Sequence, residues 1–288
     1  VNLPGDAVEE MTALDGGDPG AVWRLGRDDT AFRRQMLPHA DRDDPRFRII
    51  IPVSGGLDSS TCYRMARAAG LPVEAVMAAT GVPYARRDRE AALRLTEGRL
   101  HMLEVGDDWT AVGDFQIGRN SIIVWRLLEW AHAHGWWGEV WFGHLGGNYL
   151  ETPIVGGDKS FRWASTMQHM ATANGFDFRL SSPLIGMSKA DCVSWWAARG
   201  WLEDALAARS CFADMPGHCG RCWACLYRYV AFAARGYRRQ VEATYPDGID
   251  FTEPAREFWN RLHWNVVTTS PARLGEVYAV MNAMGYGP

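Results

Sequence analysis

A parallel β-sheet covered by helices on both faces, followed by a helical portion built around cysteines, is the fold class this 288-residue sequence predicts. Three observations carry that reading. Apolar runs alternate with helix-period patterns from Arg48 to Asn174, which is the signature of repeated βαβ units. A turn rich in Gly and Ser joins the first apolar run to the first helix in "RIIIPVSGGLDSSTCYRM". Four cysteines crowd into the short stretch "CFADMPGHCGRCWAC".

Residues 1–45 are rich in Gly, Asp and Pro, and predict an extension with at most a short helix over Thr30–Met36. Arg48–Val53 predicts the first strand and Ser59–Ala69 the first helix. Val73–Ala79 and Leu100–Val105 predict strands on either side of a helix over Asp88–Glu97. A long helix is expected over Asn120–His134, a strand over Glu139–Gly143 and a helix over Arg162–Asn174. Beyond Ser181 the pattern changes to Pro183, a helix over Ser188–Arg199, the cysteines, and a helix over Ala224–Arg235. Phe251–Leu262 and Pro271–Met284 are the last candidate helices. The division expected is an extension over 1–45, an α/β domain over 46–200, and a zinc-binding helical portion over 201–288.

With 47% hydrophobic and 22% charged residues, the chain can bury a sizeable core. No run approaches the roughly 20 apolar residues needed to cross a bilayer. The stretch "VNLPGDAVEEMTALDGGDPG" is acidic where a secretory signal would be basic and then apolar, so a cytoplasmic protein without membrane partners is expected. A net charge of -4 argues against direct nucleic-acid binding; Arg86, Arg87 and Arg89, and Arg235, Arg238 and Arg239, read as solvated faces. Trp136, Trp137, Trp141, Trp195 and Trp196 sit in apolar runs and read as core.

The turn Ser54-Gly55-Gly56-Leu57-Asp58-Ser59, continued by Ser60, has the chemistry of a phosphate cradle. In a parallel sheet, ligands bind beyond the carboxyl ends of the strands, where a helix start aims unpaired N–H groups and a positive dipole end outward. Gly55 and Gly56 let the backbone approach an anion, and Ser54, Ser59 and Ser60 offer hydroxyls. Asp58 would be repelled by phosphate unless a divalent cation lay between them, which points to Mg2+. No lysine follows the glycines, so this is not a GxxxxGK[ST] loop. An ordinary strand-to-helix turn would need one glycine and one capping residue.

Cys211, Cys219, Cys222 and Cys225 follow the pattern C-x7-C-x2-C-x2-C. Four thiolates suit tetrahedral Zn2+, and with no position left open such a site is structural. His218 is an alternative ligand whose adjacency to Cys219 makes joint ligation awkward; a reduced cluster without metal, or a redox pair at Cys222 and Cys225, are the competing readings. Cys62 and Cys192 read as buried small side chains.

Ser54 to Ser59 resembles the SGGxDS loop of the PP-loop ATP pyrophosphatases, a Rossmann-like fold. Joined to the four-cysteine knot, it resembles the 7-cyano-7-deazaguanine synthase family, which makes the precursor of queuosine. Agreement extends to Arg119-Asn120 opening a long helix, to Ser182-Pro183-Leu184 with Lys189-Ala190, and to the ending Cys219-Gly220-x-Cys222-x-x-Cys225. The resemblance covers residues 47–235 and neither terminus.

It implies an ATP-dependent carbon–nitrogen ligase acting on 7-carboxy-7-deazaguanine and ammonia. ATP activates the carboxylate as an acyl adenylate, ammonia gives the amide, and a second ATP activates the amide oxygen so that loss of water leaves the nitrile. By match of position, Ser54 to Ser60 would hold ATP phosphates, Asp58 with Arg119 and Lys189 would serve catalysis, and Asn120 would orient substrate or its helix. For Arg119 and Lys189 the competing reading is a surface charge at a helix start.

The region "GHLGGNYLETPIVGGDKSFRWAS" departs from the family, lacking its Pro-Asp-Cys-Arg run. Asp158 keeps an acid able to accept both N–H groups of a guanine-like edge, with Phe161 or Trp163 to stack on the ring; equally, Asp158 would serve as a helix cap. The departure leaves open an enzyme that stops at the amide or joins the deazaguanine acid to another amine, including one on a protein acceptor. A non-catalytic nucleotide-binding module is the reading from another class. A homodimer is compatible with the sequence.

Overall fold

The computed structural model describes residues 44–79, 81–105, 119–145, 161–184, 187–256 and 278–286. The expected helix at Thr30–Met36 lies outside them, as does half of the last two candidate helices, of which 252–256 and 278–283 are helical.

Five strands form one parallel sheet: β1 (Phe47–Pro52), β2 (Val73–Ala79), β3 (His101–Glu104), β4 (Trp137–Trp141) and β5 (Phe178–Ser181). Their spatial order is β3-β2-β1-β4-β5. The chain therefore runs outward in one direction from β1 to β3, then returns to lie beside β1 and runs outward in the other. The reversal between β1 and β4 opens a crevice at the strands' carboxyl ends, where open α/β sheets bind ligands.

At the centre of the sheet both faces are buried, which is why Ile49-Ile50-Ile51 of β1 reads as an apolar run, while the edge strand β3 is mostly exposed. Ile49, Ile51, Ala75 and Met77 point into one core layer, while Ile50, Val76, Val140 and Phe142 point into the other. The first layer is closed by α1 (Leu57–Ala68), α2 (Ala85–Leu95), α5 (Lys189–Ala197), α6 (Leu202–Ala207) and α7 (Trp223–Ala233). The second is closed by α3 (Arg119–Ala133) and α4 (Phe161–Ala173). A short α8 (Arg238–Glu242) packs on α7. Trp141, Trp195 and Trp196 are buried in the first layer, and Cys62 and Cys192 are fully buried free thiols.

The first layer joins residues on both sides of position 200: Ile49, Tyr63, Trp196, Cys211, Cys225 and Phe232 belong to one apolar cluster. Arg228, 1% exposed, ties the cysteine-bearing part together from within. It donates to the Leu206 carbonyl at 2.5 Å and to Thr244 Oγ1 at 2.8 Å.

The strand β5, with its Arg179, shows no apolar run and was not expected. It becomes a strand by pairing in register with β4, Gly138 opposite Phe178 and Trp141 opposite Ser181. The first helix starts at Leu57, two residues before the expected Ser59, which places Asp58 in its first turn. Likewise β4 ends at Trp141, so Phe142, Gly143 and His144 follow the strand and face the crevice.

Candidate active site

The turn between β1 and α1 is held from three sides. Gly55 has φ +74, and a Cβ there would meet the Asp88 carbonyl at 2.5 Å. This glycine is required because α2 packs on the turn, a different reason from the anion approach expected of it. Its carbonyl accepts from the Arg209 N–H at 2.7 Å. On the far side, a Cβ on Gly143 would lie 2.7 Å from Ser59 N and 2.8 Å from the Asp58 carbonyl carbon. The end of β4 thus rests directly on the first turn of α1.

Gly56 caps α1 with extended backbone (φ -76, ψ 159) and no side chain to bond the helix's first N–H groups. Those groups, which no helix can satisfy internally, open toward the crevice. Ser59 Oγ accepts from Ser54 N at 3.2 Å and lies 3.3 Å from Ser54 Oγ, setting two hydroxyls side by side at the mouth of the turn. Leu57 is 1% exposed, so it can offer the crevice only its backbone. Ser60 corrects the expectation made for it: fully buried on the helix face shared with Leu57 and Thr61, it does not line the cleft.

The crevice is a cleft of about 300 Å³ that gathers Ser54, Gly56, Asp58, Ser59, Arg119, Asn120 and Lys189. Lys189 Nζ donates to both Asp58 oxygens, at 2.8 and 2.7 Å, across 131 residues of chain. Each side chain keeps about a fifth to a quarter of its surface exposed, 20% and 24%. Lys189 is aimed by a capping box at the start of α5, in which Ser188 Oγ accepts from Asp191 N at 3.1 Å and Asp191 Oδ2 accepts from Ser188 N at 2.8 Å. Arg235, near the end of α7, fixes the same aspartate at 2.9 Å. Arg119 and Asn120 enter from the first turn of α3, where helix and charge were expected to coincide.

Among the further lining residues that were not anticipated are Tyr84, Asp88, Arg209 and Phe212. Arg209 Nε lies 3.3 Å from Asp88 Oδ1. Burial pushes the Asp88 carboxyl up to about 7, against the pull of Arg209 and Arg119. In sequence, Asp88 is one acid in a charged helix and Arg209 one arginine before the cysteines; only chain folding sets them in the cleft.

Trp163 is placed behind the cleft and not in its lining. Its indole N–H donates to Ser121 Oγ at 2.8 Å, and its ring packs edgewise on Phe142 and beside His144, which do line the cleft. A ring so engaged supports the wall at Phe142 and His144. Phe161 opens α4, and Asp158 lies outside the described residues.

The cysteines converge as their spacing predicted. All four sulfurs of Cys211, Cys219, Cys222 and Cys225 lie within 4.8 Å of one another, with Cys219 and Cys225 at 3.9 Å. Sulfurs bound to one tetrahedral zinc ion at 2.3 Å stand about 3.8 Å apart, so the set fits that metal. Backbone N–H groups of Ala213 and Cys219 point at Cys211 Sγ, at 3.4 and 3.3 Å, and that of Arg221 at Cys219 Sγ, at 3.4 Å. Hydrogen bonds from Cys222 and Cys225 hold Cys211 well below the usual thiol value, and the same contact with Cys211 raises Cys222 to about 11. His218 is not part of the set; its buried ring packs against Tyr245, and burial followed by Arg228 lowers it to about 3. Four thiolates around a divalent ion would carry about two net negative charges, and buried Arg228 feels Cys225 and Cys211 electrostatically.

Residues 117–236 match the family model for the queuosine biosynthesis protein QueC. The 7-cyano-7-deazaguanine synthase of Azoarcus sp. (strain BH72) is 31% identical over 218 residues, covering 66% of this chain and 93% of that protein. The chain belongs to the 7-cyano-7-deazaguanine synthase (QueC) family. The synthase of Thiobacillus denitrificans is similar at 30% identity over 217 residues, 65% of this chain and 94% of that protein. Among solved structures, the U34-tRNA thiolase NcsA from Methanococcus maripaludis matches with a TM-score of 0.46 at 10% identity, over 78% of this chain and 75% of that one. The stretch matched by the family model includes Arg119, Asn120, Lys189 and the four cysteines. Among the described residues, no helix is long and apolar enough to cross a membrane.

Proposed function

We propose that this chain uses ATP to convert 7-carboxy-7-deazaguanine and ammonia to the 7-amido and then the 7-cyano compound. The observation that carries the reading is the meeting of Asp58, Lys189, Arg119 and Asn120 around the Ser54–Ser59 turn, in the crevice where the strand order reverses. The donor set suits cleavage of ATP between its α and β phosphates. The first N–H groups of α1 and the hydroxyls of Ser54 and Ser59 cradle pyrophosphate, and Arg119 and Lys189 offset its charge.

A single carboxylate among hydroxyls fits Mg2+ arriving with ATP, since that ion keeps several waters and takes one or two protein carboxylates. Asp58 would be that ligand, and Lys189 would exchange its carboxylate partner for phosphate oxygens. The ion would supply charge neutralisation at the phosphates. Holding substrate carboxylate and ATP together in one cleft makes adenylation effectively unimolecular, and ammonia then displaces AMP. No side-chain nucleophile is needed. The cysteine set would hold Zn2+ as a structural clamp.

Asp158 is assigned the edge of the guanine-like ring. A second reading, amide formation only or transfer of the deazaguanine acyl group to another amine, is favoured by the sequence "GGNYLETPIVGGDKSF", where the family's Pro-Asp-Cys-Arg run is missing. Incubation with ATP, magnesium, ammonium and the acid, followed by mass spectrometry, decides between them. The nitrile supports the first reading, amide alone the second, and ATP bound without AMP release a non-catalytic module.

A further inference from the structure

Phe212 differs from the other aromatic side chains around the cleft. Tyr84, Phe142 and His144 line it too, yet each is buried, whereas Phe212 is 44% exposed. Its ring leans on Tyr84, with centroids 5.8 Å apart and planes at 44°. It also follows Cys211 directly, so the segment Ser210–Phe212 is at once cleft wall and part of the cysteine loop.

That wall is held by Arg209. The backbone N–H of Arg209 donates to the Gly55 carbonyl at 2.7 Å. Its guanidinium caps carbonyls across the loop between the first two cysteines: Gly217 at 2.8 Å, Met215 at 3.2 Å, and Ala213. Nε faces Asp88 at 3.3 Å. One side chain thus ties the phosphate turn, the cleft wall and the cysteine loop into a single unit. An apolar ring exposed on the wall of the cleft, and fixed from behind, is a surface for another flat ring.

We propose that Phe212 is the face on which a flat fused heteroaromatic ring stacks in the cleft, and that Arg209 is the positioning residue that holds it there. The ring is either the adenine of ATP or the 7-deazaguanine of the acid; the inference rests on the reading that this cleft takes those ligands. Adenine would place Phe212 in cofactor affinity, and deazaguanine would make it a determinant of substrate choice.

Calorimetric titration of the full metal-loaded chain with Mg-ATP, and separately with 7-carboxy-7-deazaguanine, tests it. Phe212→Ala should weaken one ligand at least about fivefold, as loss of a base–aromatic stack does, and the other less than twofold. Phe212→Trp should restore the affected ligand. Arg209→Lys should weaken that same ligand with zinc content unchanged. Wild-type affinity for both ligands in Phe212→Ala, equal loss of both with a lowered melting temperature, or failure of Trp to rescue would each overturn the stacking role. Undiminished binding by Arg209→Lys would overturn the positioning role. A wild-type chain that binds ATP but not the acid would sink the proposed substrate while leaving the ATP arm to decide on Phe212.

Discussion

Lys189 and Asp58, 131 residues apart in sequence, form a two-pronged ion pair at 2.8 and 2.7 Å on the floor of the cleft. The pair is partly exposed, so it contributes about 0–1 kcal/mol to stability, and the proposed function gives it a role in ATP cleavage. Lys189→Met should lower AMP formation by about 100-fold or more, as loss of a preorganised donor does, with a melting temperature close to wild type. Lys189→Arg, which keeps the charge on the same helix start, should recover part of the rate. Near-normal pyrophosphate release by Lys189→Met would remove this residue from catalysis.

Gly143→Ala should separate β4 from α1. The added Cβ would fall 2.7 Å from Ser59 N and 2.8 Å from the Asp58 carbonyl carbon, both backbone atoms that cannot swing aside. Overpacking of this kind costs about 1–3 kcal/mol. Because the strain acts on the turn that carries Asp58 and Ser59, ATP affinity should fall even at temperatures where circular dichroism reports a folded chain. Unchanged ATP affinity and stability would show that the contact is tolerated.

One zinc ion per chain is expected on Cys211, Cys219, Cys222 and Cys225. In small zinc peptides such binding contributes on the order of 10 kcal/mol, with strong dependence on pH. Chelation, or Cys222→Ser, should lower the melting temperature. The cluster shares a core with Trp196 and Phe232, so the loss should reach the whole cooperative unit. Metal analysis that finds no zinc in purified protein would refute the assignment.

Asp88 predicts a pH dependence. Its carboxyl is raised to about 7 when folded, from an ordinary value of 3.8, so between these limits the folded state holds a proton that the unfolded state has released. The Asp88 contribution to stability is therefore fully present below the unfolded value and is lost as pH rises through about 7. Compared with Asp88→Asn, wild type should lose up to about 1.4 kcal/mol per pH unit across that window and nothing further above it. Urea titrations of both proteins from pH 4 to 8 measure the difference; parallel curves would mean that Arg209 keeps Asp88 ionised throughout.

Asp158→Asn should weaken binding of the deazaguanine acid by about 1–3 kcal/mol, the range for a hydrogen bond to a charged group, and leave ATP affinity near wild type. A helix cap would instead give a stability loss of about 1 kcal/mol with both affinities intact. Calorimetry with each ligand, beside thermal melts, separates the two.

What the sequence determined by itself was whatever local periodicity and spacing encode. The run Ile49-Ile50-Ile51 declares a strand buried on both faces, and the two-residue gaps between Cys219, Cys222 and Cys225 declare convergent sulfurs, because both signals depend on neighbours in the chain. The turn Ser54–Ser59 was legible for the same reason, as was family membership. Tertiary structure alone decided the rest. Ser60 carries the same hydroxyl as Ser59, but one residue along a helix turns it by about 100°, from the cleft into the core. The strand β5 exists only because β4 offers it an edge. Gly55 and Gly143 are glycines because α2 and α1 press against them, and no local pattern announces the approach of a distant helix. Asp88 enters the cleft because α2 packs on the Gly55 turn, and Arg209 and Phe212 enter it when the segment leading into the cysteine loop folds over that same turn, contacts specified by packing, which sequence distance hides.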